Sequence, residues 1–139
     1  GNGTNPTFSV SVNGAEAFVS TGTIAWSGGE AINGGWELRL ETLSGSDPMQ
    51  SLLIDGESDR PAPEDYTIVS PAVQAAPEEF YGRVTTQGGE TYYASTGTLT
   101  VDSSSDSMVE GSFTFSAETP GGAAVSVTGT FRASDILDE

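Results

Sequence analysis

Apolar side chains fall on every second residue along most of this chain. Phe8, Val10 and Val12 alternate with serines, Trp36, Leu38 and Leu40 with charged residues, and Phe113 and Phe115 with hydroxyl-bearing ones. A period of two is the side-chain period of a β-strand with one wet and one dry face. The pattern predicts strands over residues 8–12, 36–42, 49–54, 66–69, 80–86, 91–95, 98–101, 112–117 and 125–132. Asn13-Gly14 is a strong two-residue hairpin signal. Folding about it sets Val12 opposite Ala15, Val10 opposite Ala17 and Phe8 opposite Val19, which leaves Glu16 and Phe18 on the other face, and the strand then continues to Trp26.

One short phrase recurs within these segments: Thr21-Gly22-Thr23-Ile24, Thr96-Gly97-Thr98-Leu99, Glu110-Gly111-Ser112-Phe113 and Thr128-Gly129-Thr130-Phe131. Each is expected to open a strand whose inward residues follow the glycine: Ile24 and Trp26, Leu99 and Val101, Phe113 and Phe115, Phe131 and Ala133. The glycine would let the backbone bend or bulge there. The spacings of 75, 14 and 18 residues between successive glycines are too uneven for a solenoid or propeller. Gly28-Gly29, Gly34-Gly35, Gly88-Gly89 and Gly121-Gly122 fall between strands, where turns need positive φ. Pro71 and Pro77 bracket residues 72–76, leaving room for one helical turn at most.

Nine or ten strands with short connections and no helix of consequence predict an all-β domain, an antiparallel β-sandwich. A closed, lipocalin-like β-barrel with an internal pocket is the alternative. The 139 residues suffice for one core. Residues 1–6 read as a flexible leader or tether, residues 7–133 as the single domain, and residues 134–139 as an acidic, frayed tail.

Composition narrows the function more than it suggests one. Twenty Asp and Glu stand against four Arg and no Lys, for a net charge of -16. Such a surface repels phosphate backbones and anionic lipid, which excludes nucleic acid and direct membrane adsorption as partners. His, Cys and Lys are all missing. A Ser-His triad, a thiolate nucleophile, a Schiff-base lysine and His-ligated zinc are therefore ruled out. Carboxylate, hydroxyl and tyrosine chemistry remain.

Several segments resemble a family of small Bacteroidetes-type lipoproteins of unknown function. The resemblance is carried by Phe8-Ser9-Val10-Ser11-Val12-Asn13-Gly14, Asp65-Tyr66-Thr67-Ile68 and Tyr93-Ala94-Ser95-Thr96-Gly97-Thr98-Leu99-Thr100-Val101. It continues in Gly111-Ser112-Phe113-Thr114-Phe115 and Val125-Ser126-Val127-Thr128-Gly129-Thr130-Phe131. The chain departs from the family pattern at Asp65, where many members place a glycine before the tyrosine. The resemblance implies an exported, extracytoplasmic domain, outer-membrane-anchored or periplasmic, tethered through a lipidated Cys ahead of Gly1. It implies no catalytic residues.

Two groups of carboxylates have oxygen spacing suited to calcium, the one cofactor these residues admit. They are Asp55, Glu57 and Asp59 just after a strand, and Asp102 with Asp106 in a hairpin loop. Neither matches an EF-hand, and both read first as solvated turns. Glu37 and Glu41 flank Arg39 on one strand face. Four residues of strand separate their Cβ atoms by roughly 13 Å, too far for a retaining glycosidase pair without a partner from another strand. In Phe80-Tyr81 and Tyr92-Tyr93 one ring of each pair must face outward. Tyr81, Tyr92 and Tyr93 are therefore the candidate ligand-binding residues, able to stack on sugar rings. The expected role is non-catalytic binding or envelope structure, with a glycan or an envelope protein as partner. A carbohydrate-binding module and a carboxylate-only glycoside hydrolase are the alternatives.

The acidic surface is either simple solvation or adaptation to brine. Screening shortens from ~8 Å at 0.15 M salt to ~3 Å at 1 M. Under the second reading the thermal midpoint rises between low salt and molar NaCl; a flat midpoint discards it.

Overall fold

The computed structural model describes residues 5–28, 35–43, 45–56, 60–76, 78–105 and 107–135. The strands are β1 (Thr7–Gly14), β2 (Phe18–Gly22), β3 (Ile24–Gly28), β4 (Glu37–Glu41), β5 (Met49–Asp55), β6 (Asp65–Val69), β7 (Glu79–Thr86), β8 (Thr91–Ser104), β9 (Met108–Glu118) and β10 (Ala124–Asp135). They form one ten-stranded mixed sheet in the order β2-β1-β10-β3-β4-β5-β7-β6-β8-β9, with added β9–β10 and β7–β8 pairings. No helix occurs among the described residues, and the all-β class expected from the alternation holds. The stretch around residues 71–73 is a turn in which the Val73 amide donates to the Ser70 carbonyl at 3.1 Å.

The sheet curls until its inward side chains meet in one cluster, but it is not a closed barrel. The last pairing, β10 to β3, has only two residue pairs, Ser134↔Trp26 and Asp135↔Ser27, and it is parallel. A second parallel contact joins β6 to β7 through Thr67↔Glu79 and Ile68↔Phe80. These two contacts are the exceptions to the antiparallel arrangement expected from short connections. The second arises where β6 is wedged between β7 and β8, whose own ladder is three pairs long. Gly89 and Gly122 take φ of +96° and +100° in the β7–β8 and β9–β10 turns, the positive values anticipated for those glycine pairs.

The four recurrent glycines share one structural role. Gly22 lies opposite Phe8, Gly97 opposite Phe115, Gly111 opposite Phe131 and Gly129 opposite Phe113. All four phenylalanines are buried. A methyl on Gly129 would fall 2.5 Å from Phe113 Cζ, and one on Gly22 would fall 2.7 Å from Phe8 Cε2. At Gly97 and Gly111 the obstacle is backbone: the Thr114 and Thr100 carbonyl oxygens of the neighbouring strand. Three of the rings then stack: Phe113 lies 6.0 Å from Phe115 and 6.2 Å from Phe131, with interplanar angles near 25°. Trp36 and Tyr66 meet Phe80 edge-on at 5.9 and 5.5 Å.

The inward residues expected after the last three glycines, from Leu99 to Ala133, are all buried. Two expectations near the start are corrected. Asn13-Gly14 does not turn the chain. Strand β1 runs on through Gly14, which pairs with Val125 at φ +127°, and the Ala15 amide donates to the Ala124 carbonyl at 2.8 Å. The chain reverses over residues 15–17, so Val12 pairs with Phe18 and Val10 with Ser20. This odd-numbered register shift turns Phe18 and Ser20 inward and Val19 outward. A bend at Thr23 then changes the parity again. Ala25 and Ser27 point inward on β3, and Ile24 and Trp26 take the opposite face.

Gly97→Ala and Gly129→Ala are each expected to destabilise the fold by roughly 1–3 kcal/mol in urea-induced unfolding, because a methyl there overpacks a filled core. Gly88→Ala, in an open turn whose nearest contact is 3.8 Å away, should stay within about 0.5 kcal/mol.

Candidate functional site

The sheet has two outward faces of different chemistry. Across β1, β10, β9, β8 and β6 the outward residues are hydroxyl-bearing, in rows such as Ser9–Thr130–Ser112–Thr100 and Ser11–Thr128–Thr114–Thr98–Thr67. One end of this face carries a groove of about 620 Å³ between Thr7, Ser9, Asp102, Glu110, Thr130 and Arg132. Arg132 Nε lies 3.5 Å from Glu110. No aromatic ring faces outward in those rows.

Across β3, β4, β5, β7 and β8 the register builds a different row: Trp26↔Arg39↔Leu53↔Arg83↔Tyr93. Each strand contributes one residue. Two of the chain's four arginines stand here with an aromatic residue at either end. Leu53 is only 7 % exposed although it points away from the core. It floors a depression of about 60 Å³ between the Arg39 and Arg83 side chains. Arg39 Nη2 lies 3.0 Å from Glu37 and its Nη1 3.4 Å from Glu41, so its fork is held by carboxylates two residues away on either side. Both pairs run along β4 itself and not across to a neighbouring strand.

Beside this row runs a second, Glu37↔Asp55↔Tyr81. Directly opposed like charges destabilise a sheet, and Glu37 with Asp55 is the only such pair in the ladders of the described residues. Burial is the main influence pushing the Asp55 carboxyl above its ordinary value. The Arg83 guanidinium opposes that rise, and the Glu37 charge adds to it. Together the two rows hold two arginines and two carboxylates, balanced on a chain of net charge -16.

Of the predicted aromatic residues, Phe80 and Tyr92 point inward and Tyr81 and Tyr93 outward, one of each adjacent pair as anticipated. Tyr93 is 38 % exposed and walls a cleft of about 260 Å³ with Pro71, Pro120 and Glu118. The Tyr81 hydroxyl donates to the Val73 carbonyl at 2.6 Å and accepts from the Ala75 amide at 2.9 Å, which pins the β6–β7 loop. Tyr92 is buried and offers no open ring; its hydroxyl donates to Glu16 at 2.6 Å, across 76 residues of sequence. This bond holds the β1–β2 turn against β8.

Asp55 lies on β5 and Asp102 on β8, where a bulge between Val101 and Ser103 sets it in the larger groove. Glu57, Asp59 and Asp106 lie outside the described residues. No three acidic side chains come together as a metal ligand set among the described residues. Trp26, Leu53 and Arg83 escaped the sequence reading. A signal for Leu53 existed: Leu52-Leu53-Ile54 is three apolar residues in a row, so one must face outward. No protein-family model matches the chain, and no curated protein or solved structure matches it.

The Glu16 bond and burial push the Tyr92 phenol up to about 12 from its ordinary 10. The fold favours the neutral phenol, so this contribution is complete below pH 10 and fades as the pH climbs through 12. Wild type should exceed Tyr92→Phe in stability by about 1.5 kcal/mol at pH 8. Denaturant titrations across pH 8–12 should show that gap closing over the last two units.

Proposed function

We propose that this chain is a non-catalytic binding domain that works outside the cytoplasm, held at the cell envelope. Its recognition surface is the outward face of β3, β4, β5, β7 and β8. The observation that carries the reading is the row Trp26–Arg39–Leu53–Arg83–Tyr93, which gathers aromatic, apolar and bidentate polar groups on one continuous strip. Tyr, Trp and Arg are the side chains that most often anchor binding surfaces. The resemblance to exported lipoproteins supports the location, and the strongly anionic surface argues against nucleic acid.

A hydrolytic reading has one observation in its favour. Glu37 and Asp55 face each other on adjacent strands, with Cβ atoms roughly 4.5–5.5 Å apart by strand geometry, near the carboxyl separation of a retaining pair. Against it, Glu37 is engaged by Arg39, and neither residue lines the groove, the depression over Leu53 or the cleft beside Tyr93. Binding is the stronger reading.

Co-sedimentation with isolated peptidoglycan sacculi and with insoluble polysaccharides tests it. The intact chain should be retained by at least one of these matrices. Tyr93→Ala and Arg83→Ala should each weaken retention about tenfold, a loss of ~1.4 kcal/mol. Arg132→Ala, on the other face, should leave it unchanged. Retention by none of the matrices, or loss on Arg132→Ala alone, refutes the assignment.

A further inference from the structure

We infer that the ligand of this face is a neutral, extended oligosaccharide that lies across the strands and is bound along the middle of its chain. The inference rests on the binding role proposed above and adds the ligand's class and direction.

The first argument is pitch. The row places one side chain on each of five neighbouring strands. Strands stand 4.7–4.9 Å apart, so Trp26 and Tyr93 are separated by about 19 Å. That pitch is close to the length one pyranose ring adds to an extended chain, so roughly four rings cover the row.

The second argument is charge. A chain of -16 repels polyanions. Arg39 is held between Glu37 and Glu41, and Arg83 faces the charge of Asp55. The face therefore has no surplus positive charge to draw a uronate or phosphate polymer. Fixed guanidinium and carboxylate groups side by side present donors and acceptors together, as vicinal hydroxyls require. Trp26 and Tyr93 supply the apolar contacts that a pyranose makes through its C–H faces, and the covered Leu53 floors the depression between them.

The third argument is shape. The depression over Leu53, about 60 Å³, admits an exocyclic substituent and not a whole ring. A chain must therefore lie over it and cannot plug in end-on. At the Tyr93 end the surface continues into the cleft beside Pro71 and Pro120, which gives the chain room to run on.

Calorimetric titration of the intact chain with neutral gluco-, xylo- and manno-oligosaccharides of one to six rings is the test. Polygalacturonate and an extended uncharged peptide complete the panel. Affinity should be undetectable for a single ring, rise with each added ring to about four, and then level off. Tyr93→Ala should cut the affinity for a four-ring ligand about tenfold while leaving the thermal midpoint within a few degrees. Trp26→Phe, which keeps an aromatic ring at the half-buried position, should cut it less. A monosaccharide that binds as tightly as a tetramer overturns the extended mode. Polygalacturonate or peptide binding without neutral glycan binding overturns the ligand class. In both cases retention on sacculi leaves the binding role standing. No retention and no titration signal overturn both.

Discussion

Glycine set opposite phenylalanine is the constraint on which the rest of this structure depends. A sheet that must curl far enough to enclose its own core brings inward side chains on adjacent strands into crowding. Here four phenylalanines are placed inside that curl, and on one of the two strands flanking each the residue that faces it has no side chain at all. The ring occupies what would have been its partner's volume. At Gly97 and Gly111 the neighbouring backbone itself is close enough to fill the space of a Cβ. Both glycines lie close to a bulge of β8, one between Ala94 and Thr96 and one between Val101 and Ser103. Bulges sharpen local twist; a flat sheet could neither close around the phenylalanine stack nor bring Gly82 on β7 to within 3.6 Å (as an ideal Cβ) of Phe115 Cε2 on β9.

That curl also separates the two outward faces, and the separation organises the charge. The face over β1, β10 and β9 is hydroxylated, with Arg132 and Glu110 near one end. The face over β4, β5 and β7 concentrates Arg39 and Arg83 with three carboxylates around a covered leucine. On a protein with four cations, two on one strip is a strong local bias. The aliphatic stems of arginine shield apolar surface while the guanidinium stays wet, which accounts for an outward Leu53 that is nearly as buried as a core residue. The strip is thus electrically moderate inside a strongly acidic shell, and aromatic, apolar and fork-shaped polar groups coincide along it.

Strand content and the identity of most core residues were legible in the alternation, because a half-buried strand announces itself by period two. Trp36, Leu38 and Leu40 point inward as that period demands, and so do the residues after three of the four glycines. What failed was register. The Asn13-Gly14 pair carries a strong local turn preference, yet the β10 ladder extends across it through Gly14↔Val125, and a long-range pairing outweighed a local one. The Thr23 bend shifted parity within a continuous run, which periodicity has no means to detect. Both errors stayed local, moving Phe18, Val19, Ala25 and Trp26 between faces. The candidate site was far less legible, for the same reason. Arg39, Leu53 and Arg83 are 14 and 30 residues apart in sequence and become neighbours only through the β4–β5 and β5–β7 registers. Alternation says that each faces outward, not that they face outward together.

Local rules that a fold breaks tend to mark the places where it does work. The pairing of Glu37 with Asp55 breaks one. Nothing in the core requires a carboxylate at either position, since both side chains project from the outward face of strands whose inward residues, Trp36, Leu38, Leu52 and Ile54, are already buried. A threonine or serine, abundant on the opposite face, would satisfy the ladder without opposing like charges. Instead burial and the Glu37 charge hold the Asp55 carboxyl above its usual range, and Arg39 on Glu37's own strand and Arg83 on the strand beside Asp55 offset it. The arginines in turn cover Leu53. The strip is therefore an interdependent polar frame whose members make sense as a set and would be poor choices singly. A merely solvated surface needs no such frame. A surface that must present fixed donors and acceptors to a hydroxyl-rich ligand does, because groups already held in place lose little freedom on binding.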